Sequence, residues 1–111
     1  MTDNVAAPEP PEIHDATDRG RYEAHVGETL AGVLEYRVAH ERLALVHTEV
    51  SPKFEGRGIA SALARFALDD ARRRGLPVIA SCPYIKTYLA RHPEDHDIVI
   101  GMGAPQDGAG P

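Results

Sequence analysis

The amino-acid sequence predicts an α+β domain: a mixed, mostly antiparallel sheet in the order β-β-β-α-β-α-(β), with two main helices. Three observations predict it. Residues 21–50 hold three β-patterned runs separated only by glycine or short polar turns, the mark of an antiparallel meander. Residues 58–74 then switch to apolar spacing of three and four. After Gly75 a short apolar run leads straight into a second helix opened by Pro83. Strands first and helices later place the chain in the α+β class.

Each element has its own warrant. Arg21 to Val26 alternates weakly and stops at Gly27. Leu30 to Ala39 is a longer strand only partly in period, and Gly32 marks an expected bulge. His40-Glu41-Arg42 is a compact polar connection into a third run, Leu43 to Val50. In the first helix Ile59, Leu63, Phe66 and Ala67 form a stripe that Asp70 continues. Arg72, Arg73 and Arg74 sit in its last turn, where cations complement the dipole, and Gly75 is a natural C′ residue. Pro77–Ser81 is a short buried strand, Pro83 to about Arg91 a helix ended by Pro93, and Ile98-Val99-Ile100 an optional last strand.

The ends of the 111-residue chain read differently. Residues 1–18 are acidic and proline-rich, and residues 101–111 are mostly Gly, Ala and Pro, so both are expected to be disordered tails. One domain, residues 19–100, lies between them. Cys82 is the only cysteine, which excludes an intramolecular disulfide and a thiolate-built zinc site. No run is long and apolar enough for a membrane span, and a cytoplasmic location is expected. The net charge of −5 argues against nucleic acid as a partner. That charge is unevenly spread: Lys53, Arg57, Arg65, Arg72, Arg73, Arg74, Lys86 and Arg91 face only Glu55, Asp69 and Asp70 over residues 53–91.

Within this basic half, Glu55-Gly56-Arg57-Gly58-Ile59-Ala60 joins the third strand to the first helix. Strand, glycine loop and helix N-terminus in that order make an anion cradle, because unpaired amides converge there and the dipole adds partial positive charge. The loop lacks the Gly-Lys-Ser/Thr ending of a nucleoside-triphosphate loop. By themselves the glycines fit a tight connection equally well.

The wider context narrows the choice. Val50-Ser51-Pro52 followed by Glu55-Gly56-Arg57-Gly58-Ile59-Ala60 resembles the signature of the GNAT superfamily of acetyl-coenzyme A-dependent N-acetyltransferases. His47-Thr48-Glu49-Val50, Arg57 to Ser61, Ser81-Cys82-Pro83-Tyr84 and Tyr88 to Glu94 together resemble the short, Yjdj-type branch, in order and spacing, across about residues 20–100. Glu55 departs from the pattern, which has Arg or Gln there. The resemblance implies a GNAT-like sheet and acetyl-coenzyme A as co-substrate. It implies a pyrophosphate held by amides of Gly56, Arg57, Gly58, Ile59, Ala60 and Ser61, with a pantetheine arm paired to the backbone of Thr48, Glu49 and Val50. Arg57 and Arg91 would meet phosphates.

Three residues are candidates for chemistry. His47 lies near the end of the third strand, and a neutral imidazole can take a proton from an attacking amine. Without the resemblance, a histidine packed on the sheet is the simpler reading. Cys82 precedes a helix start, where the dipole favours a thiolate, so it reads as a proton relay, a nucleophile or a small buried hydrophobe. Tyr88 matches the helix tyrosine that many GNAT enzymes use to protonate the departing thiolate, and it also reads as a core aromatic. His92-Pro93-Glu94-Asp95-His96 has histidines at a metal-like spacing, but Pro93 breaks the helix between them, so a helix-stop loop without metal is expected.

The favoured expectation is a minimal N-acetyltransferase that passes acetyl from coenzyme A to a primary amine by direct attack. The alternative is a non-catalytic coenzyme A or acyl-coenzyme A binding module, and a third reading is a basic-faced interaction domain.

Overall fold

A computed structural model describes residues 10–102. Six strands form one sheet in sequential order: β1 (Glu12–Ala16), β2 (Arg21–Val26), β3 (Thr29–Ala39), β4 (Arg42–Val50), β5 (Val78–Ala80) and β6 (Val99–Gly101). The first four pair antiparallel, whereas β5 joins β4, and β6 joins β5, in parallel. Those parallel steps need crossovers, supplied by α1 (Ile59–Arg74) and α2 (Pro83–Arg91). No helix among the described residues is long and apolar enough to cross a membrane.

Both helices pack into one core with a single face of the sheet. Tyr22, Ala24, Leu34, Leu43 and Leu45 from the strands meet Ile59, Leu63, Ala67 and Leu68 of α1 and Ile85 and Leu89 of α2. The opposite face carries Arg21, Glu23, Glu35, His47 and Glu49, by strand alternation and direct cross-strand pairing. In β4 that alternation changes phase at a bulge, where Glu35 pairs with His47 but Tyr36 pairs with Leu45. Leu43 and Leu45 therefore face the helices before the bulge, and Thr48 and Val50 after it.

Gly32 has a role other than the expected one. The register does shift beside it, but the extra residue is Ala31. A Cβ on Gly32 would lie 2.9 Å from Ile59 Cγ2 and 3.0 Å from the Glu49 carbonyl oxygen. Only glycine lets the start of α1 sit this close to the sheet.

One boundary is corrected. Residues 12–16, expected within a disordered tail, form β1, so the folded domain begins near residue 12 rather than 19. Composition hides this strand because only Ile13 is large and apolar. Its anchors are polar and distant: the Tyr36 hydroxyl donates to Asp15, and Arg74 lies 3.6 Å from the same carboxylate. Arg74 also bonds Asp70, to which the buried Tyr22 hydroxyl donates at 2.8 Å. One network thus ties β1, β2, β3 and α1. At the other end Gly101, expected in the C-terminal tail, closes β6, and residues 1–9 and 103–111 of the expected tails lie outside the described residues.

Candidate active site

The site is built where β4 and β5 part. They pair only at Leu43–Val78, Ala44–Ile79 and Leu45–Ala80. The amides of Ser81 and Cys82 then both turn onto the Leu45 carbonyl oxygen, at 3.0 and 2.9 Å, and the chain leaves for α2. β4 continues to Val50, paired with β3 on one side only. Its backbone beyond Leu45 is a free edge opening a cleft.

At the end of that edge stands the glycine loop. Gly56 and Gly58 have φ of 79° and 78°, a left-handed conformation that glycine adopts without strain. A Cβ at either would meet nothing within 4 Å, so conformation rather than space requires them. Gly58 caps α1, whose first recorded backbone bond runs from the Ala62 amide to the Gly58 carbonyl oxygen at 3.0 Å. The amides of Ile59, Ala60 and Ser61 precede it and have no partner inside the helix. They border a cavity of about 300 Å³ lined by Val50, Phe54, Glu55, Gly56, Gly58, Ile59, Ala60, Ser61 and Tyr84. Cleft and cradle are continuous through Val50.

The charge around this cavity differs from what the sequence suggests. Most arginines of the basic half are engaged elsewhere: Arg65 and Arg72 pair with Asp95, and Arg73 and Arg74 pair with Asp70. Arg57 lays its guanidinium over the Phe54 ring, 5.0 Å from the centroid, rather than on Glu55. Glu55 lines the cavity and makes no ion pair among the described residues. Arg91 ends α2, about two turns beyond Tyr84, and does not line the cavity.

The three candidate chemical residues divide between the two faces of the sheet. His47 is half-exposed on the open face, its Nε2 3.9 Å from Glu49 Oε1. Thr48, the next residue, points the other way, and its hydroxyl lies 3.2 Å from the sulfur of the buried Cys82. Tyr88 is buried on α2 below Tyr84, with ring centroids 6.5 Å apart, and stacks on His92 at 3.9 Å. Burial pushes the Tyr88 phenol above its usual range, although the nearby Arg65 charge opposes this. The structure therefore joins Cys82 with Thr48 at the fork of β4 and β5 and sets His47 across the strand from them.

The His92 and His96 rings each meet a carbonyl oxygen of α2, on Tyr88 at 2.8 Å and Leu89 at 2.6 Å, which makes this segment a helix stop. Sequence reading missed Phe54 and Tyr84 as lining residues. Tyr84 had a signal, since it opens the helix that follows Cys82-Pro83; Phe54, in the turn after Pro52, had none.

Comparison with known proteins bears on this geometry. A family model for the GCN5-related N-acetyl-transferase matches residues 21–98, which span β2 to the start of β6. The chain belongs to this family. Protein NATD1 of Gallus gallus and of Mus musculus is 40% identical to it over 62 residues, covering 55% of this chain and 56% of each relative. The chain thus matches about half the length of these relatives. A GCN5-like protein from Staphylococcus aureus superposes with a TM-score of 0.63 at 23% identity, over 88% of this chain and 96% of its own. A ribosomal-protein-alanine N-acetyltransferase from Brucella melitensis superposes at 0.55 with 20% identity, over 80% and 66%. At such identities these two neighbours speak for the fold, and they agree that it is a GNAT fold.

Proposed function

We propose that the chain is an N-acetyltransferase that takes acetyl from acetyl-coenzyme A and gives it to a primary amine by direct attack. The observation that carries this reading is the free edge of β4. It presents unpaired backbone groups from Val46 to Val50 and ends at three unpaired helix amides. An amide-bearing, phosphate-ended ligand fits that order of groups: strand-like pairing along the edge, then anion binding at the helix N-terminus. The donor supplies an acyl group already activated as a thioester.

The protein's own residues do the rest. A backbone amide near Val50 polarises the thioester carbonyl. On the open face His47 accepts the proton of the attacking amine, directly or through water, and Glu49 steadies the charge it gains. On the helix face Cys82 or Tyr88 returns a proton to the departing sulfur. A thiol beside Thr48 relays a proton more readily than it forms a covalent adduct, since exchange of one thioester for another gains little.

Free-thiol release across a panel of amines and amine-bearing peptides tests the reading. His47→Ala is expected to lower turnover at least a hundredfold without changing coenzyme affinity, as loss of a general base does. Coenzyme binding with no release above background for any acceptor would instead make this a coenzyme-binding module. Intact mass after incubation with acetyl-coenzyme A is expected to show no adduct at Cys82.

A further inference from the structure

We propose that His14, Glu23 and His25 form a site for one divalent transition-metal ion, of the zinc class, on the open face of the sheet. His14 stands directly opposite Glu23 across the β1–β2 pair, and His25 follows Glu23 on the same side of β2. Two imidazoles and a carboxylate from adjoining strands thus project from the face that α1 and α2 leave uncovered. The His14 Nε2 lies 3.5 Å and the His25 Nε2 3.9 Å from one oxygen, Glu23 Oε1. All three donor atoms fall within 4.8 Å of one another. Bonds of about 2.1 Å to nitrogen and oxygen put tetrahedral ligands roughly 3.4 Å apart, so the first distance fits and the second closes with a small ring movement.

The carboxylate carries a second, independent sign. Glu23 is only 3% exposed, yet its two oxygens are treated differently. Oε2 accepts from Arg21 at 2.8 Å and from Arg19 at 3.1 Å, which fixes the plane of the group. Among the described residues Oε1 accepts no hydrogen bond and points between the two imidazoles. The rings are nearly parallel, 9° apart with centroids at 5.3 Å, so one ring must turn about its side-chain torsions for both Nε2 lone pairs to meet one ion. A buried carboxylate oriented by guanidinium groups, with its other oxygen turned to two imidazoles, has the form of an oriented ligand set. Imidazole with a carboxylate selects the zinc, nickel and copper group over calcium or magnesium. The two arginines reduce the local negative charge, so micromolar rather than nanomolar affinity is expected. Because His14 is largely exposed, the remaining position is open to water. An ion here would clip the first strand to the second.

Titration of the full, metal-stripped chain with zinc chloride in a non-coordinating buffer at pH 7.5 tests the site. One ion per chain is expected, with a rise in Tm. His14→Ala and His25→Ala should each weaken binding at least tenfold, while His40→Ala, a histidine in the remote β3–β4 turn, should leave it unchanged. Nitrogen-15 spectra of the imidazoles should show the Nε2 signals of His14 and His25 moving together. Glu23→Gln risks unfolding a buried pair, so the histidine variants decide. Absence of binding at millimolar zinc, or equal binding by the His14→Ala/His25→Ala double variant, would overturn the assignment.

Discussion

Glu55 stands where the signature this sequence resembles has Arg or Gln, and the structure puts it in the cavity wall. In the proposed complex a carboxylate there would repel the pyrophosphate that the Ile59, Ala60 and Ser61 amides would attract. The effect is long-range and screened by salt, worth about 1 kcal/mol at such a half-open site. Glu55→Gln is therefore expected to tighten coenzyme A binding roughly fivefold at low ionic strength, read by calorimetry, with the gain shrinking as salt is added. Asp70 supplies a contrasting case in the core. Burial alone would raise its pKa, but the Tyr22 hydroxyl and the Arg74 and Arg73 guanidinium groups outweigh burial and hold it below its ordinary 3.8. A carboxyl whose folded value is depressed adds stability that is present above 3.8 and is lost as pH falls through the lower folded value. Acid unfolding should accordingly steepen below that pH, and Asp70→Asn should flatten this part of the profile while costing about 2 kcal/mol at neutral pH. The sequence placed Asp70 on the buried stripe but gave no sign of Tyr22, because partners 48 positions apart leave no local pattern.

The strands and helices were mostly legible because their periods and stop signals are local. Val26-Gly27, Arg74-Gly75 and Cys82-Pro83 mark ends that the structure reproduces within a residue or two. What stayed hidden was β1, held by Asp15 contacts to Tyr36 and Arg74, and the bulge in β4, which depends on how β3 pairs with it. The β3–β4 hairpin also conceals a cost. Both turn residues, His40 and Glu41, have positive φ, 54° and 60°, as a two-residue turn of this hand demands. Replacing His40-Glu41 by Asn-Gly should raise stability by about 1 kcal/mol, seen as a higher Tm with unchanged coenzyme binding. Gly32 carries the opposite expectation. Gly32→Ala forces a methyl against Ile59 and the Glu49 carbonyl, so it should cost about 2 kcal/mol and weaken coenzyme binding by shifting the first turn of α1.

Taken together, the chain divides its labour between the faces of one sheet. The helix face holds the core, the Thr48–Cys82 contact and Tyr88; the open face holds His47, Glu49 and the His14–Glu23–His25 cluster. From the sequence, the glycine loop and the strand before it were legible as a candidate ligand site, since both lie within one short stretch. The allocation of charge was not: the arginines of α1 that looked like an anion-attracting surface are spent on Asp70, Asp95 and Asp97. The proposed anion contacts therefore fall chiefly on backbone amides, and amides report directly on binding. The most direct test is a nitrogen-15 amide titration with coenzyme A. Saturable shifts concentrated at Thr48–Val50 and at Ile59, Ala60 and Ser61 are predicted. Absence of saturable shifts up to high micromolar coenzyme, or shifts confined to β1 and β2, would contradict the account.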